Sequence, residues 1–409
     1  SPADSYPNPR SWLPKRGALR KKVTKFAGEP DKPPSHFVFR PSLDIIDPPL
    51  ATRRPIGETS RMTDPIAADL LPYRSHEIIV SGHRLRFLDE GPTSRGKDDA
   101  LSSPETILCV HGNPTWSIYW RRVIERFSPR FRVIAVDHVG CGRSDKPPRG
   151  QFPYTLAAHR DNLLTLIDRL DLQRINLLAH DWGGAIGLSA LLERRDRFAR
   201  IMLLNTGAFP PPYVPWRIAA CRTPLLGTIA VRGLNLFARA AVSMAMSRQS
   251  MDKDVARGLL APYDSWANRV AIDAFVRDIP MSRRHPTYDV LQALDARLVE
   301  LRELPALLVW GMKDWCFRPD CLRRFQRAWP AAETLEISDA GHYVMEDAAD
   351  ETLQGIATFL GGGQAACERH GAAVANPPRS AAPSGHSETR GESSPGDGKT
   401  MACRRGDDG

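Results

Sequence analysis

The sequence predicts an α/β fold: a mostly parallel, eight-stranded sheet with helices on both faces and an inserted helical cap. Three observations carry that prediction. Short apolar runs of strand character alternate with segments of helical period between Leu70 and Leu360. One alternation, INLLAHDWGGAIGLSAL, reads as a buried strand, a sharp elbow at Asp181 and a helix opening on Gly183 and Gly184. Pro210, Pro211, Pro212 and Pro215 then interrupt the pattern, which stays helical and irregular until strand character resumes at PALLVWG.

The elements follow in order. HEIIVSGHRLRFLDEG is two strands joined at a Ser81-Gly82 turn. TILCVHG is a buried strand, Ile118 to Phe127 a helix, FRVIAVD the next strand and Tyr154 to Leu170 the next helix. The INLLAH strand, the elbow helix to Arg194 and RIMLLNT come next. After the cap stand PALLVWG, a helix from Cys321 to Trp329, TLEIS and a last helix from Asp347 to Leu360. The expected divisions are a core of residues 62–205 and 299–360, a cap of residues 206–298, and two flanks, 1–61 and 361–409. The first flank is rich in Pro, Lys and Arg and precedes the first methionine, Met62, so it reads as a disordered basic arm or an upstream extension of the reading frame. The second, rich in Gly, Ala, Pro and Ser, reads as a disordered tail.

Composition excludes several function classes. Residues 1–61 hold 12 Lys/Arg against 6 Asp/Glu and residues 361–409 hold 6 of each, so the middle carries only +3 of the formal +9. Nucleic-acid binding by the core is not indicated. Seven cysteines without CxxC spacing argue against a disulfide framework or a zinc knuckle and fit a reducing cytoplasm. The longest apolar candidate, Trp216 to Met246, is broken by Arg217, Arg222, Arg232 and Arg239, so no membrane span is expected. The first thirty residues lack the apolar stretch of a secretory signal. His111, His138 and His180 lack metal-ligand spacing, and GCG in DHVGCGRSDKP lacks the third glycine of a nucleotide fingerprint. Neither metal nor cofactor is expected.

An aspartate between strand and helix is commonly an N-cap, but the small residues Ala179, Gly183 and Gly184 are what a tight elbow needs. A carboxylate there, ionised at a helix N-terminus, can displace a leaving group from saturated carbon and form an alkyl ester. His342 in ISDAGHYVMED follows the last strand, in the chain order nucleophile, acid, base of one class of triad enzymes. It would take a proton from water and direct the hydroxide at the ester. Asp314 in LLVWGMKDWCF lies just past the preceding strand and is the expected acid partner, ahead of Glu90, Asp137 and Asp347. The other common acid position, after RIMLL, holds Asn205 and Thr206, which cannot be anions. Asn113 in HGNPTW and Trp182 next to the elbow offer donors without charge for a departing anion, and their backbone N–H groups can serve an oxyanion.

At HGNPTWS, DHVGCGRSDKP, HDWGGAIG, WGMKDWCF and DAGHYVMED the chain resembles the haloalkane dehalogenases of the α/β-hydrolase superfamily. That resemblance implies an α/β-hydrolase fold, Asp181 as nucleophile, His342 as base, Asp314 as acid, Asn113 with Trp182 as halide clamp, and a small apolar substrate. The segments NTGAFPPPYVPWRIA and LAPYDSWANRVAIDAFVRDIP resemble a third branch, close to the β-lactone decarboxylases of bacterial olefin synthesis. Dehalogenation ranks first on these grounds, lactone decarboxylation second. Epoxide hydrolysis ranks third: it usually pairs the elbow with an aromatic residue where Asn113 stands and requires two cap tyrosines, drawn from Tyr213, Tyr263 and Tyr288. A non-catalytic binding module would be expected to lack Asp181 or His342, and both are present. Oligomeric state is left open.

Overall fold

The computed structural model describes residues 65–92 and 104–374, with side chains through Gly361. The expected arm of residues 1–61 and the expected tail from residue 375 onward lie outside the described residues.

Eight strands form one sheet: β1 (Ser75–Val80), β2 (His83–Glu90), β3 (Thr106–Val110), β4 (Arg132–Asp137), β5 (Ile175–Asp181), β6 (Phe198–Thr206), β7 (Ala306–Gly311) and β8 (Glu333–Ile337), in the order β1-β2-β4-β3-β5-β6-β7-β8. β1 and β2 pair antiparallel, as do β2 and β4, and every later pairing is parallel. The β1–β2 turn has positive φ at both Ser81 (47°) and Gly82 (79°), the two-residue hairpin geometry whose twist matches the flanking strands. β3, β5 and β7 are buried along their whole length, as continuous apolar runs require when helices cover both faces. Alternation divides each strand between two cores. Leu108, Val110, Leu177 and Ala179 face one, while Ile107, Cys109, Leu178 and Met202 face the other.

The chain winds outward from β3 to β4 and then returns to the other side of β3 with β5. That reversal opens a crevice at the carboxyl ends of β3 and β5, the usual ligand position in an open parallel sheet. Between β6 and β7 all regular elements are helical, among them Trp216–Ala220, Leu226–Thr228 continuing as a π-helix over Ile229–Gly233, Leu236–Met244 and Val270–Asp278. This insertion stands over the crevice.

Three details differ from expectation. A helix, Pro65–Leu70, precedes β1. The helix expected from Ile118 is a 3-10 turn, Ser117–Trp120, followed by an α-helix, Arg121–Phe127. The last helix runs Ala349–Val374, past its expected end at Leu360 and into the stretch assigned to the tail. Gly361, Gly362 and Gly363 suggest a stop, but the Ala-rich run after them has high helix propensity.

Candidate active site

β5 ends at Asp181, whose φ of 54° and ψ of −127° lie where L residues are rarely found. Such a conformation costs about 1–3 kcal/mol and persists only where its surroundings hold it. Here a register shift between β5 and β6 falls at His180/Asp181, and Thr206 Oγ1 donates to the Asp181 carbonyl. The helix Trp182–Glu193 then leaves at once, and its first turn crosses the sheet closely. A Cβ at Gly183 would stand 2.0 Å from the Val110 carbonyl oxygen, and one at Gly184 2.0 Å from Thr206 Oγ1. Asp181 is thereby presented at the tip of the elbow. Its Oδ1 accepts the Asn113 backbone N–H at 2.6 Å, and the Trp182 backbone N–H also bonds the carboxylate. Its Oδ2 lies 3.8 Å from His342 Nε2.

His342 Nδ1 is 2.8 Å from Asp314 Oδ2. Asp314 is itself fixed: Oδ1 accepts Cys316 N–H at 2.6 Å and Oδ2 accepts Asn205 Nδ2 at 3.0 Å. Asn205 also accepts Gly311 N–H at 2.8 Å, so one amide ties the ends of β6 and β7 to this carboxylate. Burial opposes charging of the His342 ring, but Asp314, by charge and hydrogen bond, and Asp181, by charge, outweigh it and raise its pKa. Burial raises the Asp181 carboxyl, opposed by the charge of His342 and the two backbone donors. Each charge thus favours the other, against the cost of burying both. Asp181, Asn113, Trp182 and His342 all line one cavity of about 270 Å³, whose other walls are mostly apolar and come largely from the insertion. Among the described residues no group of three or more His, Cys, Asp or Glu is arranged to hold a metal ion.

Comparison with known proteins agrees with this architecture. A family described as alpha/beta hydrolase fold matches residues 105–221 and 231–349. The chain belongs to the α/β-hydrolase family. A cis-3-alkyl-4-alkyloxetan-2-one decarboxylase of Shewanella oneidensis is 36% identical over 295 residues, 71% of this chain and 89% of that protein. Haloalkane dehalogenase 2 of Mycobacterium bovis is 30% identical over 305 residues, 71% of this chain and 96% of that protein. The solved structure of haloalkane dehalogenase DpaA from Paraglaciecola agarilytica has a TM-score of 0.60 at 27% identity, covering 71% of this chain and 94% of that one. These relatives are enzymes, and the present chain is an enzyme of the same fold.

In this α/β hydrolase the five residues singled out by sequence come together at one place. Asn113 stands after β3, Asp181 and Trp182 at the end of β5, Asp314 after β7 and His342 after β8. Asn113 Nδ2 is 3.4 Å from the Ile272 carbonyl oxygen, which leaves its second hydrogen for a ligand. The competing acids are engaged elsewhere. Asp137 accepts the N–H groups of Ser117 and Arg143, and Asp347 those of Gly341, Ser247 and Arg248. The tyrosine pair needed for epoxide opening is not assembled among the described residues. Tyr213 lines the cavity but gives its hydroxyl to the Trp315 and Cys316 carbonyls, Tyr263 bonds Thr115, and neither Tyr263 nor Tyr288 lines the cavity. Sequence reasoning did not foresee the clamp of Asn205, the anchoring of the His342 loop by Asp347, or the stacking of Phe317 on the His342 ring at 5.7 Å. Asn205 carried a signal, since it occupies the alternative acid position.

Proposed function

We propose that this enzyme decarboxylates cis-dialkyl β-lactones through an alkyl ester on Asp181. The observation that carries the reading is a carboxylate at the elbow, held by the backbone amides of Asn113 and Trp182, lining a largely apolar cavity with Oδ2 3.8 Å from His342 Nε2. Oδ2 attacks the saturated ring carbon C4 with inversion. The C4–O bond breaks and its electron pair leaves as a carboxylate, received by Asn113 and Trp182. The C2–C3 bond then breaks, and its pair becomes the C3=C4 bond. The ester C–O bond cleaves with its pair returning to Asp181, and carbon dioxide departs. No water or external proton is consumed, and inversion followed by anti fragmentation carries a cis lactone to a cis alkene.

The second reading is dehalogenation. There the halide leaves into the same Asn113–Trp182 corner, and His342 activates a water that opens the ester to an alcohol. The lactone is placed ahead because the decarboxylase relative stands at 36% identity and the dehalogenase relative at 30%. The test offers a 1-iodoalkane and a cis-dialkyl β-lactone side by side. Alkene release by the wild type, with Asp181→Asn reduced to background, is the expected result. Iodide without alkene would establish dehalogenation instead.

A further inference from the structure

The modest charge of the middle of the chain conceals a local imbalance in the insertion. From Gly207 to Ser247 there are four arginines and no Asp or Glu. The same stretch carries six of the ten large hydrophobic side chains that stand exposed among the described residues, with Trp216, Leu225 and Leu226 each more than 70% exposed. Monomeric proteins scatter such residues singly, so their concentration within Trp216–Leu236 marks a contact surface. Leu225 has φ 61° and ψ −59°, a strained exposed turn closed by Leu226 N–H to the Pro224 carbonyl. The strain holds a leucine in solvent rather than in a core. Downstream, the π turn in which Leu234 N–H bonds the Ile229 carbonyl brings those two exposed side chains one above the other, and Trp266 packs beside Gly233.

The cations sit among these apolar groups. Arg217 stacks on Trp216 and Trp315, Arg232 on Trp266, and Arg239 is exposed. Asp273 and Asp278, whose charges act on Arg232 and Arg222, are buried, Asp273 with Arg149 and Arg277 and Asp278 with Thr287, while the exposed Asp264 beside them accepts from Asn268. Exposed apolar side chains, tryptophan and arginine together match the interface of an anionic bilayer, where tryptophan lies at headgroup level and each cation meets lipid phosphate. Arg217 and Leu236 are both exposed and line the active-site cavity, so the cavity opens through this same face.

We propose that the face built on Trp216–Arg239 docks on the surface of an anionic phospholipid bilayer, placing the mouth of the cavity against the lipid. The docking is peripheral, since no described helix is long and apolar enough to span a membrane. The test is co-sedimentation of the full chain with phosphatidylglycerol vesicles and with phosphatidylcholine vesicles. Binding to the anionic vesicles, weakened by salt, is expected, with at least a tenfold loss in Leu225→Asp/Leu226→Asp and in Arg239→Glu. Thermal stability should be unchanged in both variants, because all three side chains are exposed. Vesicle binding that both variants retain in full would overturn the proposal, as binding would then reside elsewhere in the chain. No vesicle binding, or self-association abolished by the leucine variant and unaffected by lipid, would also overturn it, the latter assigning the face to a second copy of the chain.

Discussion

His342 is asked for opposite charge states by the two reactions proposed to start at Asp181. To open an alkyl ester with water the ring must be neutral, so hydrolysis falls as the pH drops through its pKa. In the lactone route Asp181 itself becomes the leaving carboxylate, and an imidazolium 3.8 Å from Oδ2 stabilises it. That rate falls as the pH rises through the same pKa. Asp314 and Asp181 together hold the ring of the free enzyme above the ordinary histidine value of about 6.5. In the ester the Asp181 charge is gone and Asp314 alone supports the imidazolium, so both limbs should lie below the pKa of the free enzyme. Rate–pH profiles with an iodoalkane and with a β-lactone should therefore slope in opposite directions. His342→Ala should accumulate the Asp181 ester from the iodoalkane, detectable by mass spectrometry of the intact protein, yet continue to release alkene from the lactone at a rate reduced about a hundredfold to a thousandfold. Profiles of the same slope, or complete loss of alkene in the variant, would show that a proton transfer through His342 belongs to both reactions.

Elements bring these residues together, and here Asp347 is more than the start of a helix. One of its oxygens accepts the N–H groups of Gly341 at 2.6 Å and Ser247 at 2.7 Å, and the other accepts Arg248 N–H at 3.0 Å. A single carboxylate thus joins the loop that carries His342 to the segment after the helix Leu236–Met244. Asp347→Ala leaves these amides without their acceptor, at a cost of about 1–3 kcal/mol for each that water cannot reach. Urea unfolding should show a loss of several kcal/mol. Asp347→Asn, which keeps one acceptor oxygen, should recover part of it. Unchanged stability in Asp347→Ala would mean that the loop holds its place without the carboxylate. The strands and the elbow were legible in sequence because their signals are local: continuous apolar runs for β3, β5 and β7, and Asp181 ahead of two glycines. Asp314 and His342 were legible through chain order and position after a strand. The anchoring by Asp347 was not, because it joins residues about a hundred positions apart and its only local sign is that of an ordinary helix start. Asn205 was dismissed as an acid because it carries no charge, whereas its two-sided amide is what lets it bond Gly311 and Asp314 at once.

At the scale of the whole molecule, four histidines lie in or beside the cores rather than at the surface: His111, His138, His159 and His180, each no more than 1% exposed. Burial lowers the pKa of all four, to about 3 for His111. The unfolded chain therefore takes up protons near pH 6.5 that the folded chain refuses, so their contribution to stability is complete above that pH and is lost as the pH falls below it. Each ring gives a slope of up to about 1.4 kcal/mol per pH unit. His342, with its pKa raised, has the opposite sign, but its slope lies between about 6.5 and its folded pKa, so it offsets nothing of the loss at lower pH. The buried carboxyls of Asp137, Asp181 and Asp278, also raised, offset part of the loss at the acid end. The four slopes add as the unfolded imidazoles fill with protons, reaching their full value of about 1.4 kcal/mol per pH unit each roughly a unit below pH 6.5, enough to remove a typical stability of about 5–15 kcal/mol within a few units. His159 isolates the effect, because neither of its ring nitrogens has a partner among the described residues and its ring stacks on Phe275 at 4.6 Å, away from Asp181. His159→Leu should shift the midpoint of acid unfolding, followed by circular dichroism, to lower pH while leaving the position of the rate–pH limb of His342 unchanged. A midpoint that stays in place would show that protonation of this ring does not drive acid unfolding and that the other titrating groups do.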